Sequence, residues 1–390
     1  MTQVSRAVEL VEAPQTPAEV QAFLPRLSRA LAGGAPLMAV SEHGAEHDSL
    51  LGRDVDGHPA LPWDAALVVP TSGSTGDPRL AVLSRGALAT SADLTHSALG
   101  GVGRWLLALP TTHIAGLQVL VRSLRSRLSP GVLNLDEPFT AQRFADAVSA
   151  MDVSSTEQPH YTALVPTQLQ RLVDDGAGLE ALWRLDAVLV GGAAISPGLL
   201  SRAKDAGVTV ICTYGMTETC GGCVYDGVPL DGVAVDVDRD GRIRVRGPVL
   251  FDGYLGGGPD GTSVDGWFAT SDIGRVDDGV LTVEGRADNV LISGGVKIPA
   301  EAVERALLEL PDIDEAVVVG VSDVEWGERV VAVVTAASSL DEARVVADLR
   351  GQILDTWLPK AVIRVSTLPQ LASGKADRAA VRAVVDDLAR

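Results

Sequence analysis

Short apolar runs recur along the first two thirds of the chain: Ala65–Val69, Trp105–Leu109, Ala163–Val165, Ala187–Val190 and Val208–Cys212. Runs this short, spaced by longer mixed stretches, read as buried strands separated by helices. Ser84 stands where it can cap one helix, and Ser196-Pro197 opens another with proline at the first helical position. Strands alternating with helices predict a mainly parallel α/β sheet. The first sixty residues carry less signal. Val20–Leu31 has helical character that Pro25 is expected to interrupt, and Ser41–Pro62 reads as loop.

The texture changes near Asp226. Residues 226–286 are rich in Gly and Asp and hold alternating runs such as Arg242-Ile243-Arg244-Val245-Arg246, the pattern of a small β subdomain. A helix from Glu301 places Val303, Ala306, Leu307 and Leu310 on one face. Val317–Val321 and Val330–Thr335 read as strands. Asp341–Asp355 reads as a helix with Val346, Leu349 and Ile353 inward, and Ala376–Leu388 as a closing helix. The expected division is a large α/β unit with its β subdomain over 1–287 and a smaller α+β unit over 288–390.

With 390 residues and 46% apolar composition the chain can bury a large core. Its formal net charge of −19 argues against a general nucleic-acid binder, while leaving room for a local basic pocket. No run is long enough to span a membrane, and the N-terminus does not resemble a signal peptide. Three cysteines suit a reducing cytoplasm better than a disulfide framework. Whether the chain pairs into a homodimer is left open.

The sharpest chemical signal follows the first strong strand: Thr71-Ser72-Gly73-Ser74-Thr75-Gly76-Asp77-Pro78-Arg79. Glycines permit positive φ and close approach to a ligand, successive N–H groups can converge on an anion, and hydroxyls add donors. Arg79 adds a planar cation suited to phosphate. No Gly-Lys-Ser/Thr follows, so this is not a Walker A loop. An ordinary polar surface loop is an equally good reading of the run alone.

Further signals lie downstream. Gly191-Gly192-Ala193-Ala194 follows the strand Ala187–Val190, at the end of an α/β sheet where ligands bind, although a tight turn explains it as well. In Thr213-Tyr214-Gly215-Met216-Thr217-Glu218, Tyr214 offers a ring for a base, Thr217 a donor to phosphate, and Glu218 a carboxylate for Mg²⁺. Asp272 can accept from both ribose hydroxyls. Gly285-Arg286-Ala287-Asp288, the pair Gly294-Gly295, and Ser373-Gly374-Lys375 complete the series. Each is an ordinary loop feature by itself.

In this order and spacing the motifs resemble the adenylate-forming superfamily of acyl- and aryl-CoA synthetases, luciferases and peptide-synthetase adenylation domains, over about residues 60–390. The resemblance implies that Thr71–Gly76 and Arg79 hold ATP phosphates and that Gly192, Ala193 and Tyr214 border the adenine. It implies that Thr217 and Glu218 face the phosphates and Mg²⁺ and that Asp272 and Arg286 hold the ribose. Asp288 matches the hinge before a mobile C-terminal domain. Gly294 and Gly295 match the tunnel for coenzyme A, and Lys375 matches the lysine that bridges the acid and the α-phosphate.

A narrower resemblance, from Tyr214 through Cys220, Cys223 and Tyr225 to Gly232 and around His113-Ile114-Ala115-Gly116-Leu117, is to short actinobacterial o-succinylbenzoate–CoA ligases of menaquinone synthesis. It places His113, Arg122 and Gly215 by the acyl pocket. Arg122, Arg125 and Arg127 are candidates for a second substrate carboxylate, against the simpler reading of a solvated helix face. Another aryl- or acyl-CoA ligase, or an enzyme that loads a carrier protein, remains the alternative. Arg79 stands where the family usually has lysine, Ser271 where it has glycine, and the N-terminal region is shorter. Two patterns are discounted. His43-Gly44-Ala45-Glu46-His47 lacks the helix a zinc site needs, and Cys220-Gly221-Gly222-Cys223 has no second pair.

Overall fold

The computed structural model describes residues 8–41, 61–71, 79–151, 158–256, 265–310, 312–336, 341–370 and 376–388. The chain forms two compact units. One comprises residues 1–192, 203–235 and 244–269; the other comprises 193–202, 236–243 and 270–390.

In the first unit a seven-stranded sheet runs in the order Val228–Pro229, Gly221–Tyr225, Val210–Met216, Ala187–Val190, His160–Leu164, Arg104–Leu107, Gly131–Val132. Pairing is parallel from Val210–Met216 to Gly131–Val132. The central strands Ala187–Val190, His160–Leu164 and Arg104–Leu107 are buried on both faces, which explains their apolar runs. Gly221–Tyr225 folds back antiparallel on Val210–Met216 and ends the parallel series. A five-stranded sheet holds Glu9–Glu12, Leu37–Val40, Ala65–Thr71, Arg79–Ser84 and Gly253–Tyr254, in that order. Trp105, Tyr161 and Phe144 are the largest fully buried side chains.

The helix Arg85–Ala98 is capped by Ser84, whose hydroxyl accepts from the Ala87 N–H. The next helix, Ile114–Ser126, packs beside it and ends at Arg127 in the left-handed conformation. The early helix corrects the sequence expectation. It runs unbroken over Pro17–Leu31, with Pro25 inside it. Pro25 and Gln21 both face solvent, so the carbonyl that loses its partner can meet water. Burial of Val20, Phe23, Leu27 and Ala30 holds the other face.

A four-stranded sheet follows, in the order Ala234–Val237, Arg242–Arg246, Phe268–Asp277, Val280–Arg286. The second unit contains a five-stranded sheet. Its long hairpin joins Ile313–Asp323 to Gly327–Ala336; the latter strand also pairs with Ala361–Val365, in parallel, and through Gly327 with Val290–Ser293, which pairs in turn with Val296–Pro299. Alternate residues of this hairpin feed two cores. Val330, Ala332 and Val334 meet Val303 and Leu307. Val331 and Val333 meet Val381 and Val385 of the helix Arg378–Leu388. The stretch read as a helix to Asp355 is shorter, Glu342–Asp348, with a separate 3₁₀ turn at Asp355–Trp357. Gly351, at φ 84°, breaks the run, because a side chain is strained in that conformation.

Candidate functional site

Ala65–Thr71 and Arg79–Ser84 pair antiparallel, with Thr71 directly opposite Arg79. The Thr71 hydroxyl donates to the Arg79 carbonyl at 3.2 Å. The hydroxyl-rich loop therefore starts and ends on one closed pair. Ser72, Gly73, Ser74, Thr75 and Gly76 lie outside the described residues. The Arg79 guanidinium stacks over the Tyr254 ring at 4.1 Å. The Tyr254 hydroxyl donates to Glu218 Oε1 at 2.6 Å. One ring thus joins the loop's cation to the candidate metal carboxylate.

Glu218 is 7% exposed and sits in the 3₁₀ turn Thr217–Thr219. The Phe251 N–H donates to the Glu218 carbonyl at 2.9 Å, and the Thr219 hydroxyl receives the Met216 N–H at 2.9 Å. Backbone and side chain of the turn are both fixed. Mg²⁺ commonly binds one or two carboxylates plus substrate phosphates rather than a full protein cage. A single well-held carboxylate, linked through Tyr254 to Arg79, fits that pattern. No group of three or more His, Cys, Asp or Glu side chains is gathered for a metal among the described residues.

Tyr214 and Gly215 lie on the strand Val210–Met216, opposite Val224 and Gly222. A Cβ on Gly215 would come within 2.1 Å of the Gly221 carbonyl oxygen and 2.6 Å of Gly222 Cα. Glycine here is dictated by two backbones in close approach, which makes a flat floor beside Tyr214. A Cβ on Gly191 would meet Thr213 Oγ1 at 2.4 Å. Gly192 follows at φ 80° and, with Ala193, turns the chain at the strand's end.

His113 is exposed at the N-cap of Ile114–Ser126, its Nδ1 2.9 Å from the Thr112 hydroxyl. Arg122 is on the same helix, about 13 Å further along its axis, and only 3% exposed. The structure thus separates these two candidates rather than placing them on one wall. The Arg122 guanidinium lies 4.8 Å from the Trp105 ring centre. Its Nε–H has no acceptor, and no carboxylate pairs with it among the described residues. Burial pulls its pKa below the ordinary arginine value. Gln118, one turn earlier on the same face, donates to the Cys220 carbonyl at 2.7 Å. That bond sets the Arg122 face of the helix toward the turn that carries Glu218. Arg125, by contrast, is half-exposed and paired with Asp93.

On the second unit Asp272 and Arg286 are direct partners across the hairpin Phe268–Asp277/Val280–Arg286. Arg286 Nη1 lies 3.6 Å from Asp272 Oδ1. The same guanidinium grips Asp288 with two bonds of 2.8 and 2.7 Å, which raise its pKa. The Asp272 N–H donates to the Thr270 hydroxyl at 3.0 Å. A carboxylate and a fork on adjacent strands form a corner suited to a diol. Gly294 and Gly295, with φ of 56° and 78°, make the two-residue turn between Val290–Ser293 and Val296–Pro299. Lys375 lies outside the described residues, as does the His43–His47 pattern.

Cys220 and Cys223 are fully buried, and burial raises both thiol pKa values, that of Cys223 to about 12. They are packed neutral thiols. Tyr254 escaped the sequence reading. It stands in a Gly- and Asp-rich stretch, and its role depends on the two-residue strand Gly253–Tyr254 pairing with Ala81 and Val82.

The chain thus joins a large α/β unit to a smaller unit built on a β-hairpin sheet. Residues 7–255 match the family model described as AMP-binding enzyme, and residues 302–375 the model described as AMP-binding enzyme C-terminal domain. The chain belongs to the AMP-binding enzyme family. It is 43% identical over 368 residues to the probable 2-succinylbenzoate–CoA ligase of Mycobacterium tuberculosis, covering 92% of this chain and 94% of that protein. Among solved structures it resembles a point variant of E. coli MenE with bound OSB-AMS, with a TM-score of 0.77, 27% identity, and 98% and 88% of the two chains covered. The o-succinylbenzoate coenzyme A synthetase (MenE) of Bacillus subtilis, in complex with ATP and magnesium ion, gives a TM-score of 0.69 at 25% identity, with 92% and 81% covered.

Proposed function

We propose that this protein is an ATP-dependent o-succinylbenzoate–CoA ligase of menaquinone biosynthesis, an AMP-forming acid–thiol ligase working in the cytoplasm. The observation that carries the substrate choice is Arg122, a buried guanidinium with no counter-charge among the described residues. A buried charge without a partner is costly. A dicarboxylic acid supplies the missing anion at one end and offers its other carboxylate for activation. The near-complete alignment with the mycobacterial ligase supports the same substrate.

In this reading the acid's oxygen attacks the α-phosphorus of ATP and pyrophosphate leaves. Thr71 to Gly76 with Arg79 hold the departing phosphates. Tyr214, Gly192 and Ala193 border the adenine, and Asp272 and Arg286 take the ribose. Glu218 would hold Mg²⁺, which supplies charge neutralisation along the phosphates, and Thr217 donates to a phosphate oxygen. Lys375 would supply the cation that lowers the repulsion between the two anions. The thiolate of coenzyme A then displaces AMP from the acyl-adenylate. For this step residues 288–390 turn about Asp288, which withdraws Lys375 and presents Gly294-Gly295 to the pantetheine arm. His113 and Gly215 border the acid.

The test is direct. Purified protein given o-succinylbenzoate, ATP, Mg²⁺ and coenzyme A is expected to release AMP and pyrophosphate and form the thioester. Turnover only with simple benzoates or fatty acids would move the assignment to another CoA ligase. Transfer to a carrier protein in preference to coenzyme A would make it a carrier-loading enzyme.

A further inference from the structure

Three buried polar atoms lack partners along the facing sides of the helices Arg85–Ala98 and Ile114–Ser126: His96 Nδ1, Gln118 Oε1 and Arg122 Nε. Buried polar atoms are normally satisfied, so a seam with three exceptions calls for an explanation. The ion pair Arg125–Asp93 bridges the two helices at their half-exposed edge, while the buried groups of the seam other than Arg122 are neutral. The Trp105 indole N–H donates to His96 Nε2 at 3.1 Å, which fixes the imidazole proton on Nδ1. Burial, and next the charge of Arg122, hold the His96 pKa down to about 4. The Thr95 hydroxyl spends its one proton on the Ser91 carbonyl at 2.8 Å. The 2.9 Å contact between Thr95 Oγ1 and the Tyr225 hydroxyl therefore has Tyr225 as donor. The phenol oxygen is left with lone pairs only, a favourable neighbour for a guanidinium. Tyr225 stays un-ionised because burial raises its pKa.

Trp105, meanwhile, is fully buried and immobilised. Its indole lies 5.1 Å from the Tyr161 ring and is bonded to His96 at the other side. Its ring lies beside the Arg122 guanidinium. A cation–π contact is strongest when desolvated, as here, and holds the cation against the ring face. Resting on the reading of Arg122 above, we infer that Trp105 is a positioning residue that holds the Arg122 guanidinium for the substrate's second carboxylate. It thereby sets the preference for a doubly charged acid.

The experiment compares kcat/KM for o-succinylbenzoate with that for 3-benzoylpropionate, which lacks the ring carboxylate. Variants are Trp105→Leu, Trp105→Phe and Arg122→Met, alone and combined. The expected result is a loss of about ten-fold in the dicarboxylate-to-monocarboxylate ratio for Trp105→Leu, carried mainly by KM. A smaller loss is expected for Trp105→Phe, which keeps a ring. In an Arg122→Met background neither change should move the ratio further. A packing role alone would lower both substrates equally. An unchanged ratio in folded Trp105→Leu or, should that variant not fold, in Trp105→Phe, with the ratio collapsed in Arg122→Met, overturns this inference and leaves the role of Arg122 standing. An unchanged ratio in Arg122→Met itself overturns both.

Discussion

Tyr254 offers the cleanest test of the nucleotide site, because one oxygen can be removed without disturbing its surroundings. Tyr254→Phe deletes the hydroxyl that donates to Glu218 Oε1 at 2.6 Å and keeps the ring beneath Arg79. A hydrogen bond to a charged group contributes about 1.5–3 kcal/mol. Glu218 is only 7% exposed, so water replaces the lost donor poorly. If the bond aims the carboxylate at the metal, the loss appears as about a ten- to hundred-fold fall in the rate of adenylate formation at limiting Mg²⁺, eased by raising Mg²⁺. Single-turnover pyrophosphate release across a Mg²⁺ titration measures this. Tyr254→Leu removes the cation–π contact too, and should add a rise in KM for ATP that Phe does not show. A Phe variant with wild-type rates at every Mg²⁺ concentration would refute the link between the phenol and metal binding.

Three further outcomes are expected. Lys375→Ala should lose adenylation by orders of magnitude yet still convert a supplied acyl-adenylate to the thioester; equal loss in both half-reactions, followed separately, counts against its proposed role. Gly215→Ala should lower the melting temperature and weaken acid binding, since its Cβ would meet backbone at 2.1 and 2.6 Å and overpacking costs about 1–3 kcal/mol; an unchanged KM for the acid contradicts the tight floor. His96, held at about 4 against 6.5 when unfolded, takes up a proton on unfolding between those values. Stability should therefore fall as pH drops from 6.5 toward 4, by about 2 kcal/mol at pH 5. Denaturant titrations at pH 7 and 5 should show a smaller acid loss in His96→Gln; an equal loss shows that another group is responsible.

Much of the fold was legible because its central parallel strands are buried on both faces and several helices carry side-chain caps. The strand runs, the Ser84 cap and the helix from Glu301 all appear near the positions read from pattern. Pro25 misled because local propensity ignores which face a proline occupies. The site was legible where its chemistry is local, as in Thr213–Glu218. It was not legible where partners meet only by packing. Nothing near residue 254 announces that its hydroxyl reaches back 36 positions to Glu218. The solitude of Arg122 is likewise invisible in one dimension, since its neighbour Trp105 comes from a different element. The double grip of Arg286 on Asp288 is a two-residue spacing that many loops share.

The pairing of Asp272 with Arg286 has a bearing on how this sequence can change. The two face each other only because the hairpin between them has a fixed count, with an irregularity between Ile273 and Gly274 that restores alignment. A Cβ on Gly274 would fall 2.4 Å from the Thr282 carbonyl, so that kink tolerates no larger residue. Insertions or deletions within residues 273–285 that slide one strand against the other would part acid from base without altering either. Spacer length in this ribbon is thus as much a determinant of the nucleotide corner as the identity of its two ends.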